Sequence, residues 1–373
     1  MTMERPKLIL TPVGAAIAGR LPDDLKVRWQ RLMSESDLLA LREGQSRDQI
    51  QLEAAVLERL MALDLESEQG LRDTSPEIKS LAKIGPDSHG KVVLYASETA
   101  DGIVCARILV EFVRHQWRCA VEMEVITGLQ VEDAGRFRSV GAQNYVRSVV
   151  RQVNDPQNRY GYQIILNATA GFKALVPYTT LIGLLFRVPV QYIFERSSTL
   201  LTLPPLPVGF DEDFVQGVMP LLQRLERETA LPEEEVLKGL SPEQRDALLP
   251  LLEPEDGHFT LSSLGIIAYE RYKPTPPLQR SLRRPEDKDH TRDYSQEPHR
   301  TAEFETFKQH LAECPYVDSF YYHKGADPGH REVKRVGNTL HVTYGGIELR
   351  VETTATDPSH YVTIMEVIRD LMR

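Results

Sequence analysis

Short apolar runs alternate with stretches of helical period over the first two hundred residues. The runs predict five strands, at Lys7–Leu10, Lys91–Ala96, Val121–Ile126, Tyr162–Leu166 and Val190–Phe194. Apolar residues at helical spacing follow most of these strands, as in Ile103–Val113, Asp133–Asn154 and Ala174–Phe186. Alternating strands and helices are typical of a parallel sheet covered by helices on both faces. We therefore expect an α/β domain over residues 1–202.

The pattern changes after residue 202, where Leu203–Gly209 contains three prolines. Helical period returns at Asp211–Glu228, and Ser241-Pro-Glu-Gln forms a capping box for a helix over Arg245–Leu252. A strand at Gly257–Leu261 and a helix from Ser262 follow. Residues 203–275 thus fit either a plain helical connector or a small winged helix, although no basic recognition helix is visible.

The last hundred residues divide into a charged segment and a small α+β unit. Residues 276–299 are rich in Pro, Arg and Asp and predict a linker. Residues 300–373 predict two helices and three strands, in the order Ala302–Ala312, Val317–His323, Glu332–Val342, Ile347–Thr353 and Ser359–Leu371.

Charge and cysteine usage narrow the classes of function. The net charge of −10 lies wholly in residues 1–270, because residues 271–373 contain 16 basic and 16 acidic residues. Bulk charge therefore predicts no general affinity for nucleic acid. Three widely spaced cysteines predict neither a disulfide framework nor a cysteine zinc site. No secretory signal pattern or membrane span is recognisable, so we expect a cytoplasmic protein.

Polar or small residues follow three of the predicted strands, at Thr11–Gly14, Ser97–Gly102 and Asn167–Lys173. Ligands bind open parallel sheets at the carboxyl ends of strands, where backbone N–H groups converge. The third loop is the most informative. Gly171 permits close approach of a ligand, and Lys173 places a cation at a helix start, which an anionic ligand would stabilise. An ordinary strand-to-helix turn with a solvated lysine remains the alternative.

The run Asn167-Ala-Thr-Ala-Gly-Phe-Lys173 resembles the Asn-x-Thr-Gly-Gly-x-Lys signature of CARF domains, the Rossmann-like sensors of type III CRISPR ancillary proteins. Ser97–Gly102, Gly128–Gln130 and Val190–Glu195 also resemble that family, whereas Ala170 departs from its usual glycine. The resemblance covers about residues 5–200. It implies a homodimer that binds a cyclic oligoadenylate, with cyclic tetra-adenylate expected as activator. The ligand contacts carried over by the motifs are Thr11, Gly14, Ser97, Thr99, Asn167, Thr169, Gly171 and Lys173. Slow cleavage of the ring by the same loop stays open.

Two nuclease types fit the C-terminal residues poorly. A helical HEPN ribonuclease needs Arg and His within helices, but the spacings Arg284–His290 and Arg292–His299 fall in the predicted linker. A metal-dependent PD-(D/E)xK nuclease needs Asp318 together with Glu332-Val-Lys334 around a cation. This second alternative stays open, although the Glu-x-Lys pattern is common.

Metal-free RNA cleavage of the RelE type fits better, because it needs basic side chains for the phosphorane and groups that move protons. The candidate catalytic residues are Tyr321, His323, Lys324, Arg331, Lys334, Arg335 and Arg350. Alternation along the strand predicts that Arg331 and Arg335 share one face and that Lys334 takes the other.

The C-terminal end also resembles the RelE domain of CARF–RelE fusion proteins, the mRNA interferases, although no N-terminal first strand is recognisable. The resemblance implies an endoribonuclease that cleaves mRNA on the ribosome without a metal or other cofactor. Inhibition of translation would follow, and the partners would be the ring, the ribosome, mRNA and a second copy of the chain. A transcription regulator without catalysis is the alternative from another class of function.

Overall fold

The computed structural model of the chain describes residues 5–36, 38–130, 132–194, 199–274, 277–291 and 301–372. These residues form two compact units. The first comprises the described residues up to Asn154 together with Asn158–Lys273, and the second comprises Asp155–Gln157 and the described residues from Pro274 onward. None of the described helices has both the length and the apolar character that crossing a membrane requires. The three cysteines are free and buried.

A six-stranded sheet organises the first unit. Its strands are β1 (Lys7–Val13), β2 (Lys91–Ser97), β3 (Ala120–Ile126), β4 (Gln163–Asn167), β5 (Val190–Ile193) and β6 (Leu200–Leu203). They lie in the order β3-β2-β1-β4-β5-β6, with β1 to β5 parallel and β6 antiparallel to β5. The central strands are buried on both faces, which explains their continuous apolar runs. The predicted parallel sheet is confirmed.

Ten helices accompany this sheet in the described residues. They are α1 (Asp23–Glu35), α2 (Leu38–Glu43), α3 (Arg47–Met61), α4 (Glu68–Asp73), α5 (Pro76–Ile84), α6 (Ala100–Trp117), α7 (Ala134–Arg136), α8 (Ala142–Asn154), α9 (Pro156–Gly161) and α10 (Val176–Phe186). A π-helical turn at Phe137–Gly141 joins α7 to α8, so the predicted helix Asp133–Asn154 is not regular throughout. The irregular turn coincides with a close backbone approach between Gly141 and Gly128.

A smaller three-stranded sheet follows within the same unit. The elements are α11 (Glu212–Glu228), β7 (Leu231–Pro232), α12 (Glu233–Val236), α13 (Pro242–Leu248), β8 (Leu252–Glu255), β9 (His258–Leu261) and α14 (Ser263–Tyr272). The predicted capping box is confirmed: the Ser241 hydroxyl accepts from Gln244 N, and the Gln244 side chain accepts from Ser241 N. Buried residues of α11 and α14 belong to the same apolar core as those of β1 and β4. The winged-helix interpretation stays a prediction.

The second unit packs two helices, α15 (Ala302–Glu313) and α16 (Pro358–Leu371), on an antiparallel sheet. The strands β10 (Val317–Gly325), β11 (Glu332–Val336), β12 (Thr339–Tyr344) and β13 (Ile347–Thr353) have the order β10-β13-β12-β11. The expectation of one strand over Glu332–Val342 was wrong. The chain reverses at Gly337-Asn338, with φ of +61° at Gly337, and forms a hairpin.

Residues 277–291, which composition predicts to be linker, make specific contacts within the second unit. Phe320 N donates to Lys288 O (2.9 Å) and His290 N donates to Phe320 O (3.0 Å), so this stretch forms a short bridge beside β10. The buried Lys288 ammonium donates to Cys314 O (2.9 Å). Arg284 and His290 are not helical here, as a HEPN site would require. The other pair considered for that site, Arg292 and His299, lies outside the described residues.

Candidate functional site

The carboxyl ends of β1, β2 and β4 bring the three predicted loops to one edge of the parallel sheet. We call Thr11–Gly14, Ser97–Gly102 and Asn167–Lys173 together the crest. Val13 pairs with Ala96 at the ends of β1 and β2. A Cβ built on Gly14 would lie 3.4 Å from Gly171 Cα, so the loops after β1 and β4 are in contact. The crest is therefore one continuous surface.

Asn167 fixes the shape of the crest from beneath. Its side chain is fully buried, and Nδ2 donates to Thr11 Oγ1 (2.9 Å) and to Ser80 Oγ (2.7 Å). Its Oδ1 accepts from Thr169 N (3.1 Å). Thr11 is equally buried. Both side chains are thus engaged in internal bonds that hold the loop after β4 against β1.

The hydroxyl groups of the crest also bond within the protein. Thr99 caps α6 by accepting from Gly102 N (3.1 Å), and its Oγ1 lies 2.9 Å from Ser97 Oγ. Thr169 Oγ1 accepts from Ile193 N (3.0 Å). Gly171 adopts a φ of +76°, while Ala170 has no positive φ, so the backbone accommodates alanine there. Lys173 is exposed at the start of the short turn before α10.

A buried carboxyl group that the sequence did not single out lies under the same edge. Glu77 on α5 is 1% exposed, and its Oε1 accepts from Gly14 N (3.1 Å). Its Oε2 has no hydrogen-bond partner among the described residues. Burial raises the pKa of Glu77. Sequence could not reveal this role, because an acidic residue after Ser75-Pro76 is an ordinary feature of a helix start.

Replacing Glu77 by glutamine should change how stability depends on pH. A carboxyl whose pKa is raised by folding contributes stability that is complete below its unfolded value of 4.5 and is lost as pH rises through the folded pKa. The glutamine variant keeps the acceptor for Gly14 N and should lack this loss. We expect the wild type to lose stability relative to the variant as pH rises above 4.5 and through the raised pKa of Glu77 in the folded protein.

Urea unfolding followed by tryptophan fluorescence would measure the free energy of unfolding of both proteins as a function of pH. The signal reports on the first unit, because both tryptophans, Trp29 and Trp117, lie there. The prediction would be contradicted if the free energies of unfolding of the wild type and of Glu77→Gln changed with pH in the same way. Glu58→Gln, on the exposed side of α3, is the matched control.

The second candidate site is one face of the C-terminal sheet. Direct register places Tyr321, Arg350, His341 and Lys334 in one row across β10, β13, β12 and β11. A second row on the same side contains Lys324, Glu348, Thr343 and Glu332. We call these two rows, together with His323, the polar face. The opposite side carries Phe320, Val342, Leu349 and Val351, which form the core with α15 and α16.

Glu348 and His341 form the centre of the polar face. His341 Nδ1 lies 2.7 Å from Glu348 Oε1, and since a carboxylate only accepts, Nδ1 is the donor of this bond. In the neutral imidazole, Nε2 is then the unprotonated nitrogen. The His323 ring lies 4.7 Å from that of His341, and Lys324 Nζ lies 3.6 Å from Glu348 Oε2. Burial opposes ionisation of Glu348, but the bond from His341 and the charges of Lys334 and Lys324 lower its pKa. Glu348 is therefore a buried anion that orients a histidine.

Tyr321 and Arg350 form the end of the same row. The Arg350 guanidinium lies 5.2 Å from the centre of the Tyr321 ring, and His290 stacks on that ring at 4.9 Å. About half of the Arg350 side chain is exposed, and its Nη2 lies 3.4 Å from Glu352 Oε1. Arg350 thus presents a held but accessible cation beside an aromatic hydroxyl.

Arg331 and Arg335 lie away from this face. Arg331 donates to Met372 O (2.7 Å) and to Glu303 Oε1 (2.8 Å), and it packs on Tyr344. Arg335 packs over the ring of Tyr361 on α16, with its guanidinium carbon 4.2 Å from the ring centre. The predicted alternation with Lys334 is confirmed, but the side with two arginines is the one that faces the helices. The structure therefore brings together five of the seven candidate catalytic residues.

The carboxylates of a PD-(D/E)xK centre do not meet. Asp318 is on β10 and Glu332 is on β11, the two opposite edges of the sheet. Three strand spacings of about 4.8 Å separate these edges, roughly 14 Å. Asp318 accepts instead from Ser281 Oγ (2.6 Å). One cation cannot contact both carboxylates in this arrangement.

Three donors of the polar face do meet the distance requirement for a metal. The ligand atoms of His323, His341 and Glu348 all lie within 4.8 Å of one another, and imidazole with carboxylate suits zinc or iron. Lys324 and Lys334 lie close enough to lower the pKa of Glu348, and their positive charges oppose a divalent cation. The charges therefore fit an anionic substrate better than a metal.

The sequence placed His341 in the basic and aromatic cluster of these strands but not among the candidate catalytic residues, considered His290 only for a HEPN site, and did not point to Glu348. The signal for Glu348 was present, because Ile347-Glu-Leu-Arg-Val-Glu alternates apolar and charged residues as a half-buried strand does. Nothing in the sequence indicated that a residue of the predicted linker, His290, would stack on Tyr321.

The sheet order and the crest define the first unit as an open α/β domain of the type that binds ligands at the carboxyl ends of its strands. Residues 72–206, about a third of the chain, match the CRISPR-associated protein family Cas_APE2256. The matched segment contains β2 to β6 and two of the three crest loops. No curated protein matches the chain in sequence.

Two solved structures are similar at low identity. Can2 from Sulfobacillus thermosulfidooxidans, in complex with cyclic tetra-adenylate, is 10% identical, with a TM-score of 0.27 over 98% of this chain and 86% of that chain. Protein VC1899 from Vibrio cholerae is 9% identical, with a TM-score of 0.28 over 98% of this chain and 85% of that chain. With TM-scores this low, neither likeness establishes an activity of this chain.

Proposed function

We propose that the chain is an effector of type III CRISPR immunity whose first unit senses a cyclic oligoadenylate at the crest. The observation that carries this proposal is the coincidence of two independent features on two of the three crest loops. The crest is a continuous strand-end surface, and residues 72–206 match a CRISPR-associated family. Gly171 and Lys173 would supply a backbone N–H group and a cation for phosphates, and Gly14 lets the loop after β1 approach them closely. Asn167, Thr11, Ser97, Thr99 and Thr169 hold the loops that carry these groups.

The ligand we propose is cyclic tetra-adenylate, bound in the cytoplasm by a homodimer. A ring of four equal units has the two-fold symmetry of an isologous dimer, so that each protomer presents the same patch to half of the ring. Calorimetry with rings of three, four and six units tests the choice. Equal and weak affinity for all three rings would remove the sensor from the proposal.

Lys173→Ala should weaken ring binding without unfolding the protein. A charge-assisted bond from an ammonium to a phosphate contributes about 1.5–3 kcal/mol, so we expect a loss of affinity of roughly 10- to 150-fold. Calorimetry on the variant measures the loss. Lys26→Ala, an exposed lysine on α1, is the control for the change of charge. Equal affinities of wild type and Lys173→Ala would show that the lysine does not contact the ring.

For the second unit we propose metal-free RNA cleavage of the RelE type on the polar face. The observation that carries it is the row of Tyr321, Arg350, His341 and Lys334. Arg350 and Lys334 would stabilise the charge that develops on the phosphorane. His341, oriented by Glu348, would take the proton of the attacking 2′-hydroxyl, and His323, Lys324 or Tyr321 would protonate the departing oxygen. The fixed distance between His341 and Glu348 supports this division of roles.

We propose mRNA on the ribosome as the substrate, since a ribosome can align the 2′-hydroxyl with the phosphate and the polar face is open. The test combines translating ribosomes, mRNA and cyclic tetra-adenylate, beside reactions on free RNA with and without a chelator. Cleavage that occurs only with ribosomes and ring, and not on free RNA with or without the chelator, supports the proposal. Ring-stimulated cleavage of free RNA that the chelator abolishes would contradict it and favour a metal-dependent reaction, for which His323, His341 and Glu348 offer donor atoms.

A further inference from the structure

A groove of about 800 Å³ lies at the end of the parallel sheet opposite the crest. It is bordered by the start of β4, the residues just before β5 and the end of α10. Since β4 has five residues, at about 3.3 Å each, roughly 16 Å of strand separates the groove from the crest. The groove is therefore distinct from the ring site proposed above.

The charge of this groove contrasts with that of its surroundings. No Asp or Glu is among its described lining residues, although residues 1–270 carry the whole net charge of −10. Its basic residues are Arg5, Arg159, Arg187 and Arg271. Within the described part of the chain, none of these four guanidinium groups forms an ion pair. We call this feature the arginine groove.

The arginines lie close enough to affect one another. Burial of its guanidinium and the charge of Arg271 both lower the pKa of Arg159. Two hydrogen bonds fix Arg159 in place, from Nε to Val153 O (2.8 Å) and from Nη2 to Asn154 Oδ1 (3.4 Å). Arg5 in turn donates to Arg159 O (2.8 Å). Like charges held together raise the free energy of the unliganded protein, and a bound anion would relieve this repulsion.

Aromatic and apolar groups accompany the cations. Tyr160 is 56% exposed and Tyr162 is partly exposed, while the apolar lining residues Leu185, Phe186 and Val188 are buried. Guanidinium groups with an exposed ring are the combination that binds a single-stranded backbone and one stacked base. A simple inorganic anion would need no aromatic group.

We propose that the arginine groove binds a short segment of single-stranded nucleic acid, with phosphates on the arginines and a base against Tyr160. RNA, DNA and free mononucleotides share this chemistry and are separated by the test. The inference does not depend on ring sensing or on cleavage, because neither the crest nor the polar face contributes to the groove.

Fluorescence anisotropy of the full chain with labelled single-stranded RNA and DNA tests the groove. Four phosphate contacts predict a salt slope of about −3, that is, about 50-fold weaker binding at 200 mM than at 50 mM salt. Arg187→Gln combined with Arg271→Gln should weaken binding at least about 10-fold and halve the slope. Tyr160→Leu should weaken it about 10-fold with the slope unchanged. Arg28→Gln with Arg31→Gln, the same charge change on exposed α1, should have no effect.

Several results would overturn the proposal. Binding that is unchanged in the Arg187/Arg271 variant, or weakened to the same extent in the Arg28/Arg31 control, would show that the groove is not the binding site. Loss of binding in Arg350→Gln alone would place the nucleic acid on the polar face. Competition by ATP as strong as that by RNA would show that the groove binds mononucleotides and not a strand. Cyclic tetra-adenylate calorimetry on the Arg187/Arg271 variant should match the wild type. Failure of the groove and failure of the ring sensor are therefore distinguishable.

Discussion

Arg350→Ala is expected to lower the rate of ring-stimulated RNA cleavage by about 10²- to 10³-fold, the loss typical when a group that stabilises transition-state charge is removed. The side chain is half exposed on the polar face, next to Tyr321 and one strand from His341. Among the described residues it contacts Glu352 and the Tyr321 ring at the surface, so its removal should leave the fold intact. Arg350→Lys keeps the charge and should restore part of the rate.

Arg331→Ala is the matched control for this prediction. It removes the same type of side chain from the same sheet, but this arginine bonds to Met372 O and Glu303 and packs on Tyr344. We expect a less stable second unit and an unchanged rate for the folded protein. Gel-based cleavage rates and thermal unfolding, measured side by side, separate the two effects. An equal loss of rate in both variants would show that the polar face is not the site of reaction.

Gly171→Ala should have the largest effect on the sensing unit. At a φ of +76°, the backbone strain of an alanine lowers the free energy of unfolding by about 1–2 kcal/mol. Its Cβ would also lie 2.7 Å from Pro12 Cβ, and this overpacking lowers it by about a further 1–3 kcal/mol. The crest must then shift, so we expect loss of ring binding as well as a lower free energy of unfolding. Urea unfolding by tryptophan fluorescence and ring calorimetry are the measurements.

Gly239→Ala is the control that measures the effect of backbone strain without the steric contact. Gly239 has the same φ of +76° and lies in the same unit, but a Cβ there meets nothing within 4 Å. Gly239→Ala should lower the free energy of unfolding by about 1–2 kcal/mol and leave the affinity for the ring unchanged. If the two variants lose equal stability, the contact between Gly171 and Pro12 does not constrain the crest.

The parallel sheet was predictable because its central strands are buried on both faces and therefore have unbroken apolar runs between helices. The crest was predictable for the same reason, since each loop directly follows such a run. The role of Asn167 was not, because a side chain that bonds to Thr11 and Ser80 has the same sequence signal as one that awaits a ligand. An asparagine with internal bonds can be distinguished from one that binds a ligand only when the position of Ser80 on α5 is known.

The polar face was only partly predictable. The alternation of side chains along β11 correctly predicted that Lys334 lies on the opposite side of the strand from Arg331 and Arg335. The alternation does not tell which of the two sides faces the core. In the structure, Arg331 and Arg335 pack on Tyr344 and Tyr361, and Arg331 also donates to Met372 O after α16. The hairpin at Gly337-Asn338 was missed because the charged strand before it and the apolar strand after it were taken as one run.

The bridge between residues 288–290 and β10 has a practical consequence for any fragment of this chain. A fragment that starts at residue 300, the boundary that composition favours, would lack Lys288 and Asp289, which bond to Cys314 O and to the buried Lys308 ammonium (3.1 Å). It would also leave the edge of β10 without its neighbour, and an uncovered strand edge is a template for aggregation. If a fragment of the second unit that begins at residue 300 is insoluble, the cause would therefore be the missing neighbour of β10 and not an intrinsic failure to fold.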